Sequence, residues 1–106
     1  MTHAIKAAAI LFLAALVSMP VIAQTSGADT FKAKCAMCHG ADGLAATPMA
    51  KNMKVLSFKD AEMIKASDAR LIASTTNGKG KMPAYNGKLT EAQIKDVIAY
   101  IRTLQK

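Results

Sequence analysis

Residues 35–39 read Cys-Ala-Met-Cys-His, which is a Cys-x-x-Cys-His motif. This spacing is typical of the covalent attachment of a c-type haem. Cys35 and Cys38 lie three positions apart on one helical turn, so their thiols can add to the two vinyl groups of one porphyrin. His39 then lies beneath the iron as its proximal ligand. The motif therefore predicts two attachment residues, one iron ligand and a cofactor consisting of one haem c with its iron.

Three other interpretations of the motif fit its residues less well than haem attachment does. A zinc site needs four ligands in a tetrahedron, and the chain has no second Cys/His pair to complete one. A thioredoxin-like redox motif needs a strand-helix-strand setting, and no alternating apolar strand pattern lies nearby. A Cys35–Cys38 disulfide would suit an exported protein, but it closes too small a loop to stabilise much and gives His39 no role. Haem attachment uses all three residues.

The beginning of the chain has the pattern of a secretory signal peptide. Lys6 precedes an apolar run at residues 7–17, a proline follows, and Ala23 ends a Val-Ile-Ala sequence that suits a signal peptidase. We expect residues 1–23 to be cleaved and residues 24–106 to form the mature domain. The run is shorter than the roughly 20 apolar residues of a spanning helix, so no stable membrane anchor is expected, and a retained anchor is the alternative. In a bacterium the exported domain is expected in the periplasm.

The expected mature domain is small and poor in large aromatic side chains. It has no tryptophan, and its aromatic residues are Phe31, Phe58, Tyr85 and Tyr100. A chain of this size buries a modest core and often needs a cofactor or a covalent link for stability. A haem would supply the missing apolar volume. No internal repeat or long linker divides the sequence, and we expect one domain that acts as a monomer.

Helical periodicity predicts an all-α domain. The strongest pattern covers residues 91–104, where apolar residues recur at three- and four-residue steps behind Thr90, the first residue of a capping box. A second helix is predicted over residues 68–76, with Ser67 as its N-cap and Gly78 after its end.

Two further helical pieces are predicted nearer the motif. One covers residues 28–36 and leads into the first cysteine. The other is a single short piece within residues 49–63, where the pattern is ambiguous.

The second axial ligand of the iron separates an electron carrier from a catalyst. Methionines that follow the expected cleavage point are Met37, Met49, Met53, Met63 and Met82. Met37 lies inside the attachment motif and cannot reach the opposite haem face. Met82 lies in Asn-Gly-Lys-Gly-Lys-Met-Pro-Ala-Tyr, residues 77–85, where two glycines permit tight turns and Pro83 holds the preceding residue extended. We therefore predict Met82 as the ligand, and expect the other three to pack against apolar neighbours.

Three features make the chain similar to class I cytochromes c, nearest to the small monohaem bacterial and c6-like cytochromes. They are residues 35–39, the later Gly-Lys-Met-Pro-Ala-Tyr and an amphipathic C-terminal helix. The resemblance covers essentially all of the mature domain and implies three to five short helices wrapped around one covalently bound haem. Gly27 and Phe31 match the family positions where the first helix meets the last. Val97 and Tyr100 match the other side of that contact.

The resemblance also implies two contacts at the haem. The backbone carbonyl of Pro48 is expected to accept a hydrogen bond from the other ring nitrogen of His39, which fixes the ring and raises its basicity. Tyr85 is expected to line the haem pocket.

With His39 and Met82 on the iron, no position is open for a substrate. The predicted function is one-electron transfer between Fe(III) and Fe(II) by a soluble periplasmic carrier that is not an enzyme. An electron-transfer subunit of a larger oxidoreductase complex is the main alternative. A haem peroxidase or a ligand sensor would need an open iron site, and a peroxidase also needs a nearby acid or base, whereas no histidine follows His39.

The formal charge of the chain is +7. Lys79, Lys81 and Lys88 flank the predicted ligand loop, which in the family lies beside the exposed haem edge. This favours redox partners with an acidic docking surface, such as a terminal oxidase or a dehydrogenase, while an ordinary solvated basic face is an equal alternative. Nucleic acid is not an expected partner, because the lysines are dispersed and have no aromatic residues between them for base stacking.

Overall fold

The computed structural model describes residues 26–106, in which six helices are joined by loops. In chain order they are α1 (Gly27–Lys34), α2 (Ala36–His39), α3 (Pro48–Asn52), α4 (Ala61–Lys65), α5 (Asp68–Asn77) and α6 (Glu91–Leu104). Extended pairing in this part of the chain is limited to two isolated bridges. The predicted all-α class is confirmed. The predicted signal peptide, residues 1–23, and its cleavage after Ala23 lie outside the described residues.

The structure has more helices than the predicted three to five, and one reason is a break at Cys35. The helix expected over residues 28–36 ends at Lys34, and α2 begins at Ala36. The Cys35 carbonyl accepts hydrogen bonds from the N–H groups of both Cys38 (3.2 Å) and His39 (3.0 Å), so the Cys38 N–H bonds three residues back instead of four. The attachment motif is therefore a separate short turn of helix.

The other reason is that the stretch over residues 49–63 contains parts of two short helices instead of one. The Thr47 side chain caps α3 by accepting from the Ala50 N–H, and Asp60 caps α4 by accepting from the Glu62 N–H. Each cap supplies an acceptor that a five-residue helix could not provide from its own backbone.

The two longer C-terminal helices follow the sequence prediction closely. Ser67 caps α5, which extends one residue beyond the predicted end and stops at Gly78 (φ +77°). Helix α6 has the predicted bounds, and its capping box is formed: the Thr90 side chain accepts from the Gln93 N–H, and the Gln93 side chain accepts from the Thr90 N–H. Among residues 26–106 no helix has both the length and the apolar run to cross a bilayer.

Helices α1 and α6 pack together and form the centre of the core. Phe31 is fully buried, Val97 is 1% exposed, and the Phe31 and Tyr100 ring centroids lie 5.4 Å apart. A Cβ atom added to Gly27 would lie 2.7 Å from the carbonyl carbon of Asp96, so the two helices cross closely at this glycine. The crossing implied by the family resemblance is therefore present, and it holds the end of α1 in place directly before Cys35.

Candidate haem site

One cavity of about 390 Å³ brings together most of the predicted site residues. Its lining includes Cys35, Cys38, His39, Met82 and Tyr85. Apolar side chains of α4, α5 and the loop after α3 complete part of the wall, namely Met53, Val55, Leu56, Met63, Ala66 and Leu71. The cavity is therefore a largely apolar space with sulfur and imidazole donors on its surface.

The two cysteines of the motif are both free thiols on the cavity wall. Cys35 is buried, at 8% exposure, beneath the α1/α6 contact, while Cys38 is half-buried on α2. Burial, together with the nearby Cys38 thiol group, raises the pKa of Cys35 to about 11.

His39 is held by an aromatic neighbour on one face of its ring. Its ring stacks on Phe58 with the centroids 4.7 Å apart and the planes inclined by 16°. Burial lowers the pKa of the imidazole, because the charged form loses its hydration. The Nδ1 atom is buried and has no hydrogen-bond partner among the described residues. Since the neutral imidazole is the form that binds metals, the ring is in the state that iron ligation requires.

The hydrogen bond expected between His39 and the Pro48 carbonyl is not present in the structure. Pro48 is exposed and lies outside the cavity lining, as the first residue of α3. A carbonyl in the first turn of a helix points along the helix axis toward the following turn, which directs the Pro48 oxygen into α3. The start of α3 at Pro48, which the sequence did not predict, explains the difference.

Met82 lies on a loop, residues 78–85, that we call the Met82 loop. Within it the Met82 N–H donates to the Lys79 carbonyl (2.9 Å) and the Lys79 N–H donates to the Met82 carbonyl (3.1 Å). A Cβ atom added to Gly78 would lie 2.8 Å from the Met82 carbonyl oxygen, so the loop folds back onto this glycine. The tight turn inferred from the glycines is therefore formed.

Tyr85 joins the Met82 loop to two other parts of the structure. Its backbone N–H donates to the Thr75 carbonyl in α5, and its hydroxyl donates to the Lys34 carbonyl at the end of α1, both at 3.0 Å. Burial is the main cause of a raised pKa for the Tyr85 hydroxyl, and charge on Cys35 and Cys38 adds to it. The hydroxyl therefore stays protonated and serves as a donor.

The other methionines occupy different surroundings. Met53 and Met63 line the same cavity as Met82, and Met63 also packs against the core. The Met49 sulfur lies 3.9 Å from the Cys38 sulfur, and Met37 is 71% exposed. Met53 and Met63 are therefore the alternatives to Met82 as the methionine ligand.

Sequence reasoning missed several residues of the site. From the sequence, Phe58 is only one of the aromatic residues of the mature domain, and its stacking on His39 has no sequence signal. Positive charge around the cavity comes from Lys34, Lys54, Arg70, Lys79 and Lys81, against the single carboxylate of Glu62. Lys88, predicted to belong to this group, is outside the lining, with its ammonium nitrogen 5.9 Å from the Tyr85 ring centroid.

These residues fit a covalently bound haem. The Nδ1 atom of His39 is buried and has no hydrogen-bond partner among the described residues. Burial also favours the neutral imidazole, which is the form that binds a metal. The two free thiols face the same apolar cavity as a thioether sulfur on a fixed loop. This donor set, two thiols with imidazole and thioether, is the one that c-type haem uses.

Comparison with known proteins agrees with this fit. A family model described as cytochrome c oxidase, cbb3-type, subunit III matches residues 23–101. The chain is 41% identical to cytochrome c6 of a Nostoc species over 79% of its own length and 75% of that protein. It is similar in structure to the KustC0563 c-type cytochrome, with a TM-score of 0.71, 30% identity, and coverage of 76% of this chain and 99% of the other. Cytochrome c6 of the diatom Phaeodactylum tricornutum gives a TM-score of 0.57 at 29% identity, covering 74% and 90%.

The chain belongs to the cytochrome c family, as a small class I c-type cytochrome. Members of this family carry covalently bound haem c with its iron. The chain is accordingly an electron carrier and not an enzyme, like the cytochromes c6 to which it is similar. The predicted fold class, family and cofactor are confirmed.

Proposed function

We propose that this cytochrome is a soluble periplasmic carrier, with haem attached to Cys35 and Cys38 and the iron held by His39 and Met82. The observation that supports the proposal best is the single cavity whose lining contains both cysteines, the histidine and Met82. When bound, the haem supplies a reversible one-electron change between Fe(III) and Fe(II).

The protein side chains would set how readily that change occurs. A thioether ligand favours a higher reduction potential than a second nitrogen ligand, and an apolar pocket acts in the same direction. The folding of the Met82 loop onto Gly78 restricts the movement of the ligand when the iron changes charge. We propose that Tyr85 lines the haem pocket through the same cavity wall.

The proposed ligand is tested by replacing Met82 with alanine in the haem-loaded protein. The sulfur-to-iron charge-transfer band should disappear, and the reduction potential should fall by on the order of a tenth of a volt, within the range of about 0.8 V that axial ligands cover. Optical spectra and a redox titration measure both. Met53→Ala and Met63→Ala are the matched controls, because both methionines line the same cavity. Loss of the band in a control variant, with a normal band in Met82→Ala, would move the assignment to that methionine.

The basic residues around the cavity support a partner with an acidic docking surface, such as a terminal oxidase or a dehydrogenase. We propose that the carrier meets such partners as a monomer.

A second candidate is an electron-transfer subunit of a larger oxidoreductase complex. The match to a family described as subunit III of a cbb3-type oxidase favours this candidate. Native electrophoresis of gently extracted protein, followed by haem staining, distinguishes the two: a carrier migrates alone, and a subunit migrates with its complex.

A further inference from the structure

One hydrogen bond joins parts of the chain that lie far apart in sequence at the wall of the haem cavity. The Tyr85 hydroxyl donates to the Lys34 carbonyl at 3.0 Å, across 51 positions. Lys34 is the last residue of α1 and directly precedes Cys35. The bond therefore connects the end of the Met82 loop to the backbone of the segment that carries the first attachment cysteine.

The Lys34 carbonyl is available to Tyr85 because of the break in the helix at Cys35. In a continuous helix the Cys38 N–H would donate to Lys34, four residues earlier. Here it donates to the Cys35 carbonyl, as the His39 N–H also does. The Lys34 carbonyl is thus one of the unpaired acceptors that a helix end leaves, and the Tyr85 hydroxyl takes the place of the missing donor.

Among the hydrogen bonds of the described residues, the Tyr85 hydroxyl bond is the one that joins the Met82 loop to the segment carrying the cysteines. Met82 exchanges backbone hydrogen bonds with Lys79 inside the loop. The Tyr85 N–H and the Asn86 N–H donate to Thr75 and Thr76 of α5, both at 3.0 Å. These bonds fix the end of the loop to α5, and the hydroxyl fixes it to the end of α1.

We propose that the Tyr85 hydroxyl is a positioning residue for Met82, holding its loop closed against the segment that carries the haem-attachment cysteines. The inference rests on the proposed role of Met82 as an axial ligand. Without the hydroxyl, the loop loses its restraint toward α1, so it opens more often and its internal Lys79–Met82 turn breaks more often. The sulfur then leaves its position more often, and small ligands reach the iron more easily.

The test is Tyr85→Phe in the haem-loaded protein, with imidazole as the competing ligand. The variant keeps the ring in the cavity wall and removes only the donor. Imidazole affinity, followed by loss of the sulfur-to-iron charge-transfer band, should rise about two- to tenfold, the factor that corresponds to one net hydrogen bond. Tyr100→Phe is the matched control, because it removes the same atom from a tyrosine whose hydroxyl makes no bond among the described residues. Its imidazole affinity should equal that of the unchanged protein.

A second measurement keeps the two proposals separate. Amide hydrogen exchange at Met82 should speed up by a similar factor of about two to ten in Tyr85→Phe, with exchange at Ile98 in α6 unchanged. Unchanged imidazole affinity together with unchanged exchange at Met82 would overturn the positioning role. Equal acceleration at Met82 and Ile98 would also overturn it, because it would mean general destabilisation. If Met82→Ala shows that Met82 is not the ligand, the proposed ligation fails, while faster exchange limited to the loop would still show that Tyr85 holds it closed.

Discussion

His39 shows what the sequence can and cannot reveal about a single residue. The motif predicts it as the iron ligand from spacing alone, because the chemistry needs an imidazole directly after the second cysteine. Its stacking on Phe58 follows from the path of the chain: the Phe58 N–H donates to the Gly43 carbonyl at 2.9 Å, and a Cβ atom on Gly43 would lie 2.6 Å from the Phe58 ring. No spacing rule connects these three positions, so the contact becomes visible only in the structure.

Lys54 occupies a backbone conformation that favours glycine. Its φ is +55°, and it follows α3 as the turn residue of a helix C-cap, in which the Val55 N–H donates to the Ala50 carbonyl and the Lys54 N–H donates to the Lys51 carbonyl. We predict that Lys54→Gly raises the free energy of unfolding by up to about 1 kcal/mol, since relief of the left-handed strain exceeds the added entropy of glycine in the unfolded chain.

Denaturant unfolding of the haem-loaded protein measures this change. The control is Lys51→Gly, inside α3, which should lower the free energy of unfolding by about 1 kcal/mol. Destabilisation by Lys54→Gly as large as that of the control would show that the lysine side chain contributes more than its backbone conformation costs.

At the scale of elements, long helices were predictable and short ones were not. Helix α6 has its apolar period and its capping box in the sequence, and both appear at the predicted positions. Helices α3 and α4 are five residues each, too short to show a period, and they depend on single caps and on contacts made by the folded chain. The same uncertainty affected Pro48, whose predicted bond to His39 depended on where α3 begins.

The close contact between α1 and α6 predicts that alanine at Gly27 lowers stability, although this replacement usually stabilises a helix. Alanine in place of glycine usually stabilises a helix by up to about 1 kcal/mol. At Gly27 the added methyl group would meet the Asp96 carbonyl, with the Tyr100 Cβ atom 3.3 Å away. We predict that Gly27→Ala instead destabilises the haem-loaded protein by about 1–3 kcal/mol, because the helices must move apart.

Denaturant unfolding again provides the measurement. Lys32→Ala, at an exposed position of α1, is the control and should change the free energy of unfolding by less than about 0.5 kcal/mol. A stabilised Gly27→Ala variant would show that the two helices are free to separate at this point.

For the whole molecule, the distribution of charge matters more than the total. The formal charge of +7 was available from composition, but the crowding of cations at the cavity depends on bringing α1, the loop after α3, α5 and the Met82 loop together. Proximity to Met82 in the sequence drew attention to Lys79 and Lys81, which line the cavity, but it could not reveal Lys34, Lys54 or Arg70.

If these cations act on the electron-transfer site, oxidation of the reduced protein should depend on the charge of the oxidant. Changing Lys79 and Lys81 to glutamate should slow oxidation by the anion hexacyanoferrate about tenfold at low salt and speed oxidation by the cation tris(phenanthroline)cobalt. Both effects should fade as salt rises, since the Debye length falls from about 10 Å at 0.1 M to about 3 Å at 1 M. Stopped-flow mixing measures the rates.

The control variant carries glutamate at Lys59 and Lys65, which makes the same change of net charge outside the cavity lining. Equal slowing in both variants would mean that only the total charge matters and that the basic face is ordinary solvated surface.

The close crossing of α1 and α6 also bears on the order of events during biosynthesis. A chain is made from its amino end, so α1 and the two cysteines exist well before the helix against which they pack. Until residues 91–104 emerge, Phe31 lacks its partners Val97 and Tyr100, and the contact of α1 with α6 cannot form. The core that buries Cys35 therefore cannot close before the last helix is present.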